Sequence, residues 1–162
     1  ILKDNEQNFK VQIANDNSEG QIVLSGKTED LNELIIVLKK LSIKNIKLPV
    51  SAPFHCSLMS DATNIMREEL NKLSFSSSAN KLISNVTADE ISDTNELRDL
   101  LIKQIENRVR WRESVINMIN RNVNHFIEIG PGKVLSGLIK RINREVKVDN
   151  INNQGDIESL KI

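Results

Sequence analysis

The run from His125 to Asn152 constrains the fold more than any other part of the chain. "HFIEI" is a short apolar run with strand character, "GPGKVLSGLIKRINRE" carries helical spacing, and "VKVDNIN" returns to a strand pattern. Two strands joined by a helical crossover pair in parallel, so this unit predicts an α/β layer. Gly130-Pro131-Gly132 supplies the strand-to-helix turn and is expected to bring Pro131 into an early helical position.

The stretch ahead of this unit fits the same scheme. "KLISNV" reads as a buried strand, and "TNELRDLLIKQIENRV" and "WRESVINMINR" read as helices. In "SLMSDATNIMREELNKL", Leu58, Ala62, Ile65, Met66, Leu70 and Leu73 fall on one helical stripe, ended by "SFSSSAN". That helix starts two or three residues after His55.

The first fifty residues have a different rhythm. "KVQIAND" and "QIVLSG" are β-rich runs split by a turn at "DNSEG", and "TEDLNELIIVLKKLSI" places Leu31, Leu34, Ile35, Leu38 and Leu41 on one stripe with Thr28 as its cap. "NIKLPV" reads as a further strand, giving β-β-α-β: a small sheet carrying one helix.

At 162 residues, 39% hydrophobic and 27% charged, the chain is sized and composed for one folded domain with a small appendage. It opens on Ile1 with no start signal, which reads as a cut. No apolar run reaches the roughly 18 residues of a membrane span, and no leader pattern is present. A single cysteine forms no internal disulfide, so a reducing cytoplasm is the expected compartment and the Asn85-Val86-Thr87 sequon a coincidence. Net charge is zero, yet residues 101–150 hold ten Lys/Arg against five Asp/Glu while the remainder holds twelve against seventeen. This asymmetry predicts a basic face. With no Tyr, one Trp and four Phe, there is little aromatic surface for stacking bases, so no nucleic-acid partner is expected.

The chemistry-bearing residues concentrate in "LPVSAPFHCSLMS". His55 admits four readings there: a base, half of a Cys/His pair, a metal ligand, or a side chain on a turn. Adjacent side chains on a turning backbone diverge, which favours Cys56 as a small buried hydrophobe over a nucleophile served by its neighbour. No metal is expected, because His55, Cys56 and His125 have none of the usual ligand spacings. The glycines at 20, 26, 130, 132, 137 and 155 never stand four apart, so no serine of this chain sits in a Gly-x-Ser-x-Gly elbow. If His55 serves a serine, that serine lies outside these residues. Gly130-Pro131-Gly132-Lys133 matches neither nucleotide-binding fingerprint and reads as a structural turn, and His125 as a satisfied strand-edge residue.

Four blocks together carry a resemblance. "ANDNSEGQIVLSG", "VSAPFHCSLM", "IKQIENRVRW" and "FIEIGPGKVLSGLIKR" are similar, in order and separation, to malonyl-CoA:acyl carrier protein transacylases. The resemblance implies part of an α/β-hydrolase-like acyltransferase domain with an inserted ferredoxin-like small subdomain. Residues 1–49 would be a partial small subdomain, and 50–162 the C-terminal part of the large domain. It implies that His55 is the base for a serine in a Gly-His-Ser-x-Gly elbow, and that the Gln104 main-chain carbonyl takes the place of the triad carboxylate. Phe54 matches the ring that disfavours α-branched acyl groups, and Ser51 and Asn85 belong to the substrate surroundings.

The implied reaction moves a malonyl group from malonyl-CoA through an acyl-serine to the phosphopantetheine thiol of acyl carrier protein, in fatty acid biosynthesis, with no further cofactor. Arg108, Arg110, Lys140, Arg141 and Arg144 then become a candidate surface for the acidic carrier protein. The nucleophilic serine, the arginine that holds the malonyl carboxylate and the glutamine loop of the oxyanion hole have no counterpart in this sequence. The expectation is a chain inactive alone and completed by an N-terminal part. The alternatives are an inactive fragment serving as a binding or assembly module, and a related acyltransferase with another acyl preference.

Overall fold

A computed structural model describes residues 10–91 and 93–160. The first nine residues of the expected small subdomain lie outside the described residues. The described residues open with an antiparallel hairpin, β1 (Val11–Ser18) and β2 (Gln21–Gly26), followed by helix α1 (Thr28–Lys40). Gly26 closes the hairpin where a Cβ would stand 2.9 Å from the Lys10 carbonyl oxygen, too close for any side chain. Leu34, 1% exposed, is the buried point of the α1 stripe, whereas Leu41 at its end is exposed. Lys27, not Thr28, occupies the cap position and makes no side-chain cap bond; Thr28 is already helical.

A short 3-10 turn (Ser57–Met59) leads into α2 (Ser60–Asn71), which packs on α3 (Thr94–Lys103). The predicted apolar stripe of α2 is mostly open: Leu58, Ile65, Met66 and Leu73 are all exposed, and the residue it buries is Thr63. Helix α4 (Trp111–Asn120), β3 (His125–Ile129), α5 (Val134–Ile142), β4 (Lys147–Ile151) and α6 (Gln154–Ser159) complete the chain. β3 and β4 pair in parallel, His125 opposite Lys147 through Ile129 opposite Ile151, as the strand-helix-strand pattern predicts. Val115, Ile139 and Val146 form the core beneath them, with Trp111, Phe126 and Val148 packed around it.

Two predicted strands are absent. Residues 45–50 form no ladder: Ile46, Leu48 and Val50 are exposed, and no described strand lies alongside to supply hydrogen bonds. The observed order is therefore β-β-α. In "KLISNV" only Ile83 makes a bridge, to Glu90. The Ser84 hydroxyl accepts from the Val86 and Thr87 amides, and this local bonding turns the chain before a strand can extend. Pro131 stands outside the helix, which begins at Val134; Gly130 and Gly132 hold φ of 134° and 95° and make the turn a separate unit. Helix α6 was not anticipated, although Asn153 and Asp156 cap each other's backbone in the pattern that marks a helix start.

Candidate active site

His55 stands on the turn between the irregular 43–50 segment and the 3-10 turn, with φ 57°, in the left-handed region that few non-glycine residues adopt. The residues after it are held by the hairpin. The Ser57 amide donates to Gln12 Oε1 (2.7 Å), and the Ser25 hydroxyl donates to Cys56 Sγ (3.6 Å). Gln12 and Ser25 are cross-strand partners in the β1–β2 register. Cys56, 1% exposed, also directs its thiol to the Pro53 carbonyl (3.1 Å), which fits a packed small side chain.

With its neighbour fixed inward, the imidazole of His55 lines an open apolar depression of about 430 Å³, together with Phe54, Met59, Ala62, Met66, Gln104 and Ile105. His55 Nδ1 lies 2.8 Å from the Gln104 carbonyl oxygen. A carbonyl only accepts, so Nδ1 carries a proton, and in the neutral ring Nε2 then holds the lone pair. Gln104 ends α3, where carbonyls have no partner within the helix, so its oxygen is available for a side chain.

The other expected residues distribute unevenly around this centre. Phe54 is half exposed on the depression. Asn85 Nδ2 donates to Gln104 Oε1 (3.4 Å), placing it against the carbonyl residue. Ser51 is exposed in the bend ahead of Pro53. Arg110 and Arg108 both bind Glu113, the latter at 3.0 Å, and Arg110 also donates to the Thr87 carbonyl (3.1 Å). The Arg110 bond holds the Glu113 carboxyl below the usual carboxylate range, against the upward push of burial. Lys140 donates to the Arg144 and Val146 carbonyls, and Arg141 to Gln21. Arg141 and Arg144 are exposed.

Away from the centre, His125 Nε2 meets Asp149 Oδ2 at 2.7 Å across β3 and β4, a satisfied pair. Among the described residues no three His, Cys, Asp or Glu side chains gather to hold a metal, and no helix is long and apolar enough to cross a membrane. The sequence reading missed Glu128. Its carboxylate accepts from the Leu135 amide (3.1 Å), the Ser136 amide (2.8 Å), the Ser136 hydroxyl (2.6 Å) and Asn150 Nδ2 (3.1 Å). This occupies the α5 N-terminus with the protein's own anion, which agrees with a structural reading of the Gly-Pro-Gly-Lys turn.

No family model matches the chain. It is 39% identical over 154 residues to the malonyl CoA-acyl carrier protein transacylase of Bacillus subtilis, an alignment covering 94% of this chain and 49% of that protein. The crystal structure of the Clostridium perfringens malonyl CoA-acyl carrier protein transacylase superposes with a TM-score of 0.91 at 37% identity, covering 98% of this chain and 50% of that one. Nearly the whole chain is thus similar to one half of these malonyl CoA-acyl carrier protein transacylases. A malonyl-transacylase solved in complex with its type II PKS acyl-carrier protein superposes with a TM-score of 0.90 at 31% identity over 98% of this chain and 52% of that one. The chain spans about half the length of the curated transacylases it matches.

Proposed function

We propose that this chain is the C-terminal portion of a malonyl transacylase and carries the base side of its active site. The observation that carries the reading is the 2.8 Å contact between His55 Nδ1 and the Gln104 carbonyl beside an open apolar depression. With Nδ1–H fixed, Nε2 can take the proton of a serine hydroxyl as it attacks the thioester of malonyl-CoA. The same proton then passes to the departing CoA thiolate. In the second half-reaction His55 takes the proton of the carrier protein's phosphopantetheine thiol as its sulfur attacks the malonyl-serine ester, and returns it to the serine oxygen as the ester bond breaks. Imidazole suits both directions because its ordinary pKa lies near neutrality.

The serine, the arginine for the malonyl carboxylate and the oxyanion-hole loop belong in this reading to an N-terminal part outside the sequence. The exposed apolar residues of α2 and β3, Ile65, Met66 and Ile129 among them, support a partner segment that covers them. The large part is an α/β-hydrolase-like domain from residue 50 onward, and residues 1–49 belong to a ferredoxin-like subdomain. Phe54 shapes the acyl pocket, Asn85 steadies Gln104, and Ser51 stands at the pocket edge. No cofactor takes part, and the work is cytoplasmic, in fatty acid biosynthesis.

The test is intact-mass spectrometry after incubation with malonyl-CoA, on this chain alone and with the N-terminal part supplied, each against His55→Ala. A malonyl adduct only with both the N-terminal part and His55 present is expected. An adduct on this chain alone would transfer the nucleophile to one of its own residues and refute the reading. The carrier-protein surface centres on Arg141 and Arg144, since Arg108 and Arg110 are engaged by Glu113. Reversing the charge of Arg141 and Arg144 in the complete enzyme should raise KM for carrier protein several-fold and leave malonyl loading intact. An unchanged KM removes this surface.

A further inference from the structure

The conformation of residue 55 needs an explanation that the transacylase chemistry does not give. A left-handed backbone costs an L-residue roughly 1–2 kcal/mol unless its surroundings hold it there. At His55 the neighbours on the C-terminal side are gripped by two side chains standing side by side on the hairpin. Gln12 takes the Ser57 amide at 2.7 Å, and Ser25 takes the Cys56 sulfur at 3.6 Å from a position only 6% exposed. On the other side, Pro53 contributes its carbonyl to the same sulfur. Met59 closes the turn through its amide on the Cys56 carbonyl (3.0 Å). The turn is thus tied to the hairpin at two consecutive residues, and the imidazole leaves it toward Gln104.

We infer that the cross-strand pair Gln12 and Ser25 positions His55: by holding Ser57 and Cys56 it keeps residue 55 left-handed and so keeps Nδ1 on the Gln104 carbonyl. These are positioning residues and touch neither substrate nor reacting atoms. Their importance for transfer rests on the reading of His55 as the base, but the geometric inference can be tested without turnover.

Two readouts report it on the 162-residue chain. Cys56 is the only cysteine, so the rate at which an aromatic disulfide reagent labels it measures opening of this turn. Side-chain nitrogen NMR of His55 measures the tautomer, with His125 on Asp149 as an internal control. Gln12 is exposed, so Gln12→Leu leaves the core untouched; Ser25→Ala removes the second tie, and Gln12→Glu restores an acceptor. Gln12→Leu and Ser25→Ala should each speed labelling by roughly fivefold, the factor set by one hydrogen bond's net contribution. That gain should persist at urea concentrations too low to change the global unfolding rate. The His55 signal should move from the Nδ1–H form to a mixture, Gln12→Glu should stay near wild type, and His125 should not move.

Labelling at the wild-type rate, or labelling that rises only with global unfolding, together with an unmoved His55 tautomer overturns the inference. Malonyl transfer surviving His55→Ala in the complete enzyme would instead overturn the base assignment, leaving the tautomer result standing.

Discussion

Replacing Glu128 should destabilise the chain more than any other single exposed-to-intermediate carboxylate. Its two oxygens accept four hydrogen bonds, joining β3 to the first turn of α5 and to Asn150 on β4. Asn150 Nδ2 also donates to the Ser136 hydroxyl, so the carboxylate anchors a closed network. Hydrogen bonds to a charged acceptor contribute about 1.5–3 kcal/mol each when nothing replaces them. Glu128 is only half-buried, however, so water can satisfy part of what Glu128→Ala leaves open. Loss of a helix cap alone costs about 0.5–2 kcal/mol, and with the lost tie to β4 the total comes to about 2–3 kcal/mol. For a chain of this size that is a fall in Tm of roughly 5–10 °C. Glu128→Gln keeps one oxygen acceptor and should cost about 1 kcal/mol.

Urea unfolding at pH 7 measures both variants, and pH gives a second axis. Desolvation pushes the Glu128 carboxyl upward, but the bonds from Ser136, Leu135 and Asn150 outweigh it and hold the group below its ordinary value. A lowered folded value means that the stabilisation is complete above the unfolded value of about 4.3 and is lost as pH falls through the folded one. The gap between wild type and Glu128→Gln should therefore close in acid. Glu128→Ala within about 0.5 kcal/mol of wild type at pH 7, or a gap that widens on acidification, would refute the reasoning.

Two further outcomes concern the site. Gln104→Ala preserves the carbonyl that faces His55 and loses only the 3.4 Å link to Asn85, so in the complete enzyme transfer should stay within about tenfold of wild type, read from kcat. Phe54→Ala should narrow the preference for malonyl over methylmalonyl thioesters by roughly ten- to two-hundred-fold in kcat/KM, and equal ratios in both enzymes would remove Phe54 from selectivity.

The parts of the fold legible in the sequence are those whose pattern is local. The hairpin, α1, and the strand-helix-strand unit of residues 125–151 follow from periodicity and turn residues. The strands predicted at 45–50 and 81–86 but not formed were apolar runs whose ladder needs a partner that no local signal supplies, and in one of them Ser84 offered the backbone a nearer bond. The α2 stripe is legible as helical, but periodicity marks a face and not what covers it, and most of this face is exposed. At the site, His55 stands out from its own stretch as a candidate, while its role as the base and the part of Gln104 come from the family resemblance. Gln12 and Ser25 could not, since their contacts join residues 45 and 31 apart in the chain. Glu128 had a visible signal, an acid two residues before a Gly-Pro-Gly turn into a helix, that fits the need of that helix for an anion.

The left-handed backbone at residue 55 also governs how the histidine can be removed without disturbing its setting. Alanine there deletes the imidazole and at the same time favours relaxation of the main chain, so lost activity would mix two causes. Asparagine visits that region of backbone space far more readily than other side-chain-bearing residues, and it cannot act as a base. His55→Asn is therefore the cleaner knockout. It should leave Cys56 as shielded as in the wild-type chain, so a single thiol titration certifies each preparation before its activity is compared.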